Sequence, residues 1–454
     1  MRWRTTGFAA AGNLLVVMML AGPLAAAEHR VADPKEFAAA VERVAPGDTI
    51  TLADGTWRDV DLVFEADGTA DKPITLRAAT SGKAILIGAS RVSLGGSYLV
   101  VEGLSFRDGF HSGGHLVFRR DSKRLAHHCR VTECAIDGCN PPDKKTKSNW
   151  VSLYGTHNRI DHSSISGKTN AGTTLVVWLP DRDGEPNEHR IDHNYFGPRP
   201  ELKKNGGETI RVGDSDTSMQ ISRTVVEANV FERCDGETEI ISNKSCENNY
   251  RGNLFLSCSG TLTLRHGDRC TVHDNYFLGE HARGSGGVRI IGRGHRVVRN
   301  YFADLEGDEA RAALSMMDGL ADSPLNGYFQ VEEATVADNV FVHCKETFAI
   351  GVSDDDAKNR LPPVNSTVSG NVVLGGKRPI VTEHTAGPSI TWTGNICDGG
   401  SLGDGNFAAG WTKQALPPGK RYGLVWPLNT QAGPEAEPIG RDDVGAAWRR
   451  SAAH

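Results

Sequence analysis

Short apolar runs recur along most of the chain, and a polar residue or a glycine closes each one. The clearest repeat is an asparagine followed by two mostly apolar or aromatic residues. It occurs at Asn194, Asn229, Asn253, Asn275, Asn300, Asn339, Asn371 and Asn395. The shorter intervals cluster near about 24 residues, and the longer ones fit one repeat plus an insertion. A unit of that length cannot bury its own apolar face, so stacked copies are expected.

The residue types within the repeat indicate strands rather than helices. A leucine-rich repeat has a similar period, but its L-x-x-L-x-L pattern is missing and β-branched residues are frequent. We therefore predict an all-β fold, a single-stranded parallel β-helix of about a dozen coils. Val, Ile and Phe would point into its core, and the asparagines of successive coils would form a ladder at a bend.

Both ends of such a stack need covering, because an open end exposes backbone and core. Residues 32–44 predict a short capping helix with Asp33 as N-cap and Pro34 at the first helical position. Its apolar face would consist of Phe37, Val41 and Val44. The repeat is lost from about residue 403. We therefore assign residues 28–402 to the capped β-helix and residues 403–454 to an irregular region packed along it.

Residues 1–27 have the pattern of a secretory signal peptide. Arg2 and Arg4 precede an apolar core around Leu14 to Leu20, and alanines at 25–27 offer a cleavage site. The alternative is a membrane anchor, but the apolar stretch is shorter than the roughly 20 residues that a spanning helix needs. The sequence therefore predicts export to the periplasm or the medium, without insertion into a membrane.

Charge and cysteine content narrow the possible partners. Removing residues 1–27 takes away two arginines and no acidic residue, so the net charge moves from −6 to −8. An acidic protein is a poor candidate for non-specific nucleic-acid binding. The nine cysteines lack the C-x₂-C spacing of zinc sites, which favours small core-filling side chains. Export would permit disulfides, but their pairing does not follow from the spacing.

Chemistry-bearing residues concentrate in three consecutive repeats. Residues 235–245, DGETEIISNKS, contain Glu237, Glu239 and Lys244, with Asn205 one repeat earlier and Arg265 one repeat later. On a strand the two glutamates would project to the same face and repel each other unless a cation lay between them. Carboxylate and amide oxygens suit Ca²⁺. The alternative is an ordinary solvated face that the lysine merely neutralises.

This set of residues would serve β-elimination on a uronic acid polymer. Removing the C5 proton places further charge on an anion, and a cation on the substrate carboxylate stabilises that charge. Lys244 is the expected base, and Arg265 the residue that assists the leaving oxygen. The very high pKa of arginine makes it an unobvious proton donor, so the assignment of the base is the stronger of the two.

These motifs resemble polysaccharide lyase family 6, which includes alginate lyases and the dermatan-sulfate lyase chondroitinase B. The resemblance lies in NGGETIR from Asn205, ETEIISNKS from Glu237, the block from Asn249 to Gly267, and GGVRIIG at 286–292. It extends to PGDTITLADGTW at 46–57 and to GRDDVGAAW near the C-terminus. It implies a right-handed parallel β-helix, with room in this chain for one such domain.

The resemblance also implies individual roles. Asn205, Glu237 and Glu239 match calcium ligands, Lys244 matches the catalytic base, and Arg265 matches the residue given the acid role. The expected substrate-binding residues are His266, Arg289, Arg211 and Lys168. The implied partner is an anionic polysaccharide, alginate in the first instance, bound by a monomer or weak dimer.

Other activities remain open at this stage. Dermatan sulfate or chondroitin is the alternative substrate, although a sulfated polymer would call for extra basic residues. A uronate C5-epimerase begins with the same proton abstraction, and a secreted β-helix could bind polysaccharide without cleaving it. A glycoside hydrolase needs two carboxylates on opposite sides of the bond, and Glu237 and Glu239 are too close in sequence for that.

Overall fold

The computed structural model describes Met1 and residues 26–179, 185–353, 360–427 and 430–450. Most of the predicted signal peptide, residues 2–25, lies outside this described part, so its assignment stays a prediction. Within the described ranges, no helix has both the length and the apolar character needed to cross a membrane.

Three long parallel sheets wind around one core, and we name them sheets A, B and C in the order in which each coil visits them. Within the described residues, sheet A has 14 strands, sheet B 14 and sheet C 13. Sheet A consists of Glu28–Val31, Thr49–Leu52, Ile74–Ala78, Leu99–Glu102, Arg130–Thr132, Arg159–Asp161, Arg190–Asp192, Val225–Glu227, Asn249–Arg251, Thr271–His273, Arg296–Val298, Thr335–Ala337, Ser366–Ser369 and Ile390–Thr393. Sheet B consists of Gly55–Arg58, Ala84–Gly88, Ser105–Gly109, Ala135–Asp137, Ser164–Ser166, Tyr195–Phe196, Val230–Glu232, Leu254–Leu256, Tyr276–Leu278, Tyr301–Ala303, Val340–Val342, Val372–Leu374, Asn395–Asp398 and Trp411–Lys413. Sheet C consists of Asp61–Asp67, Arg91–Ser97, Leu116–Val117, Ala126–His127, Val151–Leu153, Leu175–Val177, Ile210–Gly213, Glu239–Lys244, Gly260–His266, Ser285–Ile290, Leu314–Met317, Phe348–Val352 and Val381–Glu383.

This arrangement confirms the predicted parallel β-helix of about a dozen coils. Two antiparallel pairs stand outside the three sheets: Gly319–Leu320 with Arg360–Leu361, and Pro418–Arg421 with Leu424–Pro427. The helical elements are Pro34–Val41 and Ala447–Arg450, with 3₁₀ turns at Glu309–Arg311, Ala408–Gly410 and Arg441–Asp443.

The eight repeated asparagines form the predicted ladder at the bend between sheets A and B. In each step the Nδ2 of one asparagine donates to the Oδ1 of the next at 2.9–3.0 Å, from Asn194 through to Asn395. The backbone N–H of the earlier asparagine donates to the same oxygen, as Asn253 does to Asn275 at 2.9 Å. The ladder therefore satisfies buried backbone groups where the chain turns.

A column of phenylalanine rings runs beside the asparagine ladder inside the core. Consecutive rings are stacked with centroids 4.6–5.0 Å apart, at Phe196, Phe231, Phe255, Phe277, Phe302 and Phe341. The spacing matches the separation of neighbouring strands, about 4.8 Å. All nine cysteines are free and buried, which confirms their prediction as core-filling side chains.

The N-terminal cap forms as predicted. The side chain of Asp33 accepts hydrogen bonds from the backbone N–H groups of Lys35 and Glu36 at 2.8 and 2.9 Å, so it is the N-cap of helix Pro34–Val41. Phe37 is buried, and Val41 and Val44 pack against the main core.

The C-terminal segment lies along the outer face of sheet B. Trp426 and Val444 pack there among sheet B residues such as Tyr301. The Tyr301 hydroxyl donates to the Val425 carbonyl at 2.7 Å, and the Trp448 indole donates to the Glu133 carbonyl at 2.8 Å. The C-terminal segment therefore covers sheet B, and the predicted site residues Lys244, Arg265 and Arg289 lie on strands of sheet C.

Candidate active site

The predicted basic residues meet on neighbouring strands of sheet C. Arg211 pairs in register with Ser242, Ser242 with Thr263, and Thr263 with Arg289. The neighbouring row, which includes Asn243 and Leu264, points into the core. Strand alternation therefore directs Arg211 and Arg289 outward on the face of sheet C.

A β-bulge places Arg265 beside Lys244. Asn243 pairs with Leu264, and Lys244 pairs with His266. Arg265 is therefore an extra residue, with no residue in register on the preceding strand. Bulges are common next to active sites, where they change the direction of a side chain. Alternation after the inward-pointing Leu264 directs the Arg265 side chain outward, and the bulge lets His266 take the place opposite Lys244 on the preceding strand.

Arg265 reaches both an acidic and an aromatic neighbour. Its Nε lies 3.7 Å from an Oε1 of Glu239, and its guanidinium carbon lies 4.1 Å from the centroid of the Tyr328 ring. Its Nη1 donates to the Gly327 carbonyl at 3.1 Å. The partly buried pair with Glu239 fixes the direction of the guanidinium group on the sheet.

Tyr328 is a site residue that the sequence analysis missed. It lies between Leu320 and Thr335, in the longest interval of the asparagine repeat, and the Arg289 Nη2 donates to its hydroxyl at 2.5 Å. One tyrosine therefore contacts both Arg265 and Arg289. The only signal in the sequence was the length of that interval, which indicates an insertion but not where it folds.

The structure corrects the placement of Glu237. We expected both glutamates on one strand and on one face, but the strand begins at Glu239, and Glu237 lies in the bend before it. The Glu237 Oε2 accepts hydrogen bonds from the N–H groups of Gly206 and Gly207 at 2.9 and 3.1 Å. Two backbone amides therefore hold this carboxylate, and strand alternation plays no part.

Negative charge is concentrated around Glu237. Burial, and then the nearby carboxylate of Glu208, raise the pKa of Glu237 to about 7, with a smaller contribution from Glu239. Glu208 is itself buried and accepts a hydrogen bond from the Thr173 hydroxyl at 3.3 Å. Glu208 lies within the motif NGGETIR at 205–211, but nothing in the sequence indicated its position beside Glu237.

The acidic groups have the chemistry of a calcium site but do not form a complete one. In the described ranges no three His, Cys, Asp or Glu side chains converge closely enough to hold a metal ion. The predicted set has two carboxylates and the amide of Asn205, which lies exposed in the turn before Gly206. Oxygen donors with net negative charge fit Ca²⁺. The other ligands would have to be water or substrate.

His266 and Arg211 both have unsatisfied polar atoms. His266 is 1 % exposed, and burial, followed by the charges of Arg265 and Lys244, lowers its pKa to about 3, so the imidazole is neutral near pH 7. Its Nδ1 has no hydrogen-bond partner among the described residues, and neither does the Nε of Arg211. The Arg211 guanidinium carbon lies 5.0 Å from the Trp178 ring centroid.

Lys168 is a buried lysine in the segment before strand Leu175–Val177. Its side chain is 1 % exposed, its ammonium group donates to the Asn170 side-chain oxygen, and it lies 5.2 Å from the Trp150 ring centroid. Burial lowers its pKa to about 6. A role in substrate binding stays a prediction, and the burial of this lysine counts against it.

Fold and site together define a parallel β-helix protein with acidic and basic side chains gathered on the outer face of one sheet. Residues 31–397 match the family model described as chondroitinase B. The chain therefore belongs to the chondroitinase B family, and the solved structures that it resembles include members of polysaccharide lyase family 6.

Three examples illustrate this similarity. The PL6 family alginate lyase AlyGC is 38 % identical with a TM-score of 0.89, and the alignment covers 93 % of this chain but 58 % of that one. A mannuronic acid specific family 6 lyase from human gut microbiota is 33 % identical with a TM-score of 0.78, covering 86 % of this chain and 92 % of that one. The family 6 lyase Pedsa3628 from Pseudopedobacter saltans is 26 % identical with a TM-score of 0.75, covering 92 % and 99 %. A comparison with curated proteins found no match.

Proposed function

We propose that this protein is an exported polysaccharide lyase that cleaves alginate by β-elimination. The observation that carries the proposal is the bulge on sheet C: Lys244 pairs with His266, and the extra residue Arg265 next to this pair reaches Glu239. This gives a base, a cationic group and an acidic cluster on one outer face. The names of AlyGC and of the mannuronic acid specific lyase support alginate as the polymer.

In this mechanism Lys244 acts as a neutral amine and removes the proton from C5 of the uronate. The electron pair forms the C4–C5 double bond as the bond from C4 to the glycosidic oxygen breaks. Arg265 stabilises the negative charge that develops on the leaving oxygen, and it or a water molecule delivers the proton there. The product is a 4,5-unsaturated uronate at the new chain end.

The surrounding residues would bind and orient the substrate. Arg211 and Arg289 present guanidinium groups that suit carboxylates, because their planar donors match carboxylate geometry. The neutral His266 imidazole offers an unpartnered Nδ1 to the sugar. Asn205, Glu237 and Glu239 would hold Ca²⁺, which when bound would neutralise the substrate carboxylate and so make the C5 proton more acidic.

A second candidate substrate is dermatan sulfate or chondroitin, which the name of the matching family model favours. Purified protein would be incubated with alginate, dermatan sulfate and chondroitin sulfate in the presence of calcium, and the ultraviolet absorbance of the unsaturated uronate would be followed. Alginate is expected to give the fastest rise. A faster rise with dermatan sulfate would reassign the substrate, and no rise with any polymer would contradict the lyase proposal.

Export is proposed from the sequence pattern of residues 1–27. The gene expressed with its full leader is expected to give periplasmic or secreted protein whose N-terminal sequence begins near Glu28. A cell-associated product that retains Met1 would contradict the cleavage.

A further inference from the structure

Arg199 is a buried cation that the catalytic mechanism does not use. It is 3 % exposed, and no carboxylate lies within ion-pair distance of it among the described residues. Burying an unpaired charge is costly unless its donors are satisfied. Burial lowers the pKa of Arg199 only to about 10, so the guanidinium group is charged at neutral pH.

The guanidinium group is satisfied by oxygen atoms that lie on the turns before two neighbouring strands of sheet C. Its Nη1 donates to the Thr174 hydroxyl at 2.9 Å and to the Glu208 carbonyl at 2.5 Å. Its Nη2 donates to the carbonyls of Gly172 at 2.8 Å, Gly206 at 3.1 Å and Asn170 at 3.2 Å. This planar fork therefore ties the turn at 170–174 to the turn at 206–208.

The second of these turns is the one that holds Glu237. The carbonyl of Gly206 accepts from Arg199, while the N–H groups of Gly206 and Gly207 donate to the Glu237 carboxylate. Gly206 has a φ of +98°, a conformation that glycine adopts easily and other residues rarely adopt. The direction of these amides therefore depends on what holds the carbonyl side of the turn.

Arg199 also contacts the turn that carries Glu237 itself. Its backbone pairs with Cys234, and a Cβ on Gly236 would lie 2.7 Å from the Arg199 Nε. A Cβ on Gly207 would lie 2.2 Å from the Gly236 carbonyl oxygen. The turn at 206–208, the bend at 234–237 and the Arg199 side chain thus pack without room for a further side chain between them. A displacement of Arg199 would therefore move both segments.

We propose that Arg199 is a positioning residue for the acidic site: it fixes the Gly206–Gly207 turn so that Glu237 is held in the geometry needed to bind a divalent cation. This inference rests on the proposed function, in which Glu237 is a calcium ligand. Outer residues that orient metal ligands commonly contribute about 10- to 100-fold to metal affinity.

The test measures calcium binding directly, by isothermal titration calorimetry with CaCl₂ alone. Arg199→Lys keeps the positive charge but replaces the fork with a single ammonium group, so it cannot hold both turns. We expect its calcium dissociation constant to rise about tenfold or more. Arg199→Gln, which removes the charge and most donors, is expected to bind more weakly still. Arg130→Lys, on the far side of the β-helix in sheet A, is the matched control and should bind like the wild type.

A second control distinguishes a positioning role of Arg199 from a general loss of stability. Val336→Ala removes buried apolar volume several coils away and lowers stability without touching the turns, so its calcium affinity should not change. Thermal unfolding in the presence of chelator shows that each variant is folded. At saturating calcium, Arg199→Lys should recover most of its turnover number, because Lys244 and Arg265 are untouched.

The outcomes separate this inference from the proposed function. Unchanged calcium affinity in folded Arg199→Lys and Arg199→Gln would overturn the positioning role, as would wild-type protein that binds no calcium. Wild-type protein that binds calcium but forms no unsaturated uronate would overturn the lyase proposal, while the comparison of affinities would still decide the role of Arg199.

Discussion

Replacement of Asn275 by alanine tests whether the asparagine ladder stabilises the β-helix. The Asn275 Oδ1 accepts from both the backbone N–H and the Nδ2 of Asn253 at 2.9 Å. Its own Nδ2 donates to the Tyr250 carbonyl at 2.9 Å and to the Asn300 Oδ1 at 3.0 Å. All these groups are buried, so the variant leaves two donors of Asn253, its backbone N–H and one side-chain N–H, without the acceptor that they share.

The expected loss follows from that count. A buried polar group left unsatisfied costs about 1–3 kcal/mol, so two of them predict a decrease of roughly 2–6 kcal/mol in the free energy of unfolding. Urea denaturation followed by circular dichroism would measure it. The control is Asn406→Ala, an exposed asparagine outside the ladder, for which a change within about 0.5 kcal/mol is expected. A loss below about 1 kcal/mol for Asn275→Ala would refute the reasoning, since it would mean that water or relaxation satisfies the ladder equally well.

Three further predictions concern the site and its surroundings. Lys244→Ala should lower kcat by about 10²- to 10⁴-fold, the usual contribution of a general base, while alginate binding measured by calorimetry stays near wild type; an active variant would refute the base assignment. Chelation should suppress activity in the wild type, and Glu237→Gln should require more calcium for half-maximal activity; full activity in chelator would contradict a calcium requirement. Between about pH 6 and the ordinary lysine pKa, Lys168 is neutral in the folded protein and protonated in the unfolded chain, so the free energy of unfolding should rise by up to about 1.4 kcal/mol per pH unit. Lys168→Met should flatten this slope in urea titrations at several pH values. An unaltered slope would contradict a neutral buried lysine.

The sequence predicts the regular part of the fold well because repetition makes it predictable. In a parallel stack, identical side chains at one position of each coil lie next to one another, so the periodic asparagines predict a ladder and the periodic phenylalanines predict core positions. Asn253 and Phe255 show this directly, since each contacts its counterparts one coil before and one coil after. The cap is equally local, because Asp33 and Glu36 lie within one turn of helix.

The site was predicted as a set of residues but not as a geometry. Lys244, Arg265, Arg289 and Arg211 could be placed on one face because coil spacing alone brings their strands together. Single-residue irregularities are invisible to that argument, and the bulge at Arg265 is one of them. Its effect depends on pairing between strands and not on the local sequence.

Other features depend on contacts that are distant in sequence. Tyr328 reaches the site through an insertion, and the neighbouring Gly327 bonds to Arg265 across 62 residues. The burial of Lys168 depends on Trp150 and Asn170 closing around it, although a lysine in isolation is expected at the surface. Glu237 lies in a bend and not in the strand, because the amides of Gly206 and Gly207 on the preceding coil bind its carboxylate.

The most direct test of the central claim is mass spectrometry of alginate products formed in ¹⁸O-labelled water. β-Elimination by Lys244 breaks the bond between C4 and the glycosidic oxygen without adding water, so we predict shortened chains that carry an unsaturated end and no solvent oxygen from the cleavage step. Saturated products with one labelled oxygen per cut would indicate hydrolysis, and chains of unchanged length would indicate epimerisation or binding alone. Either result would contradict the account.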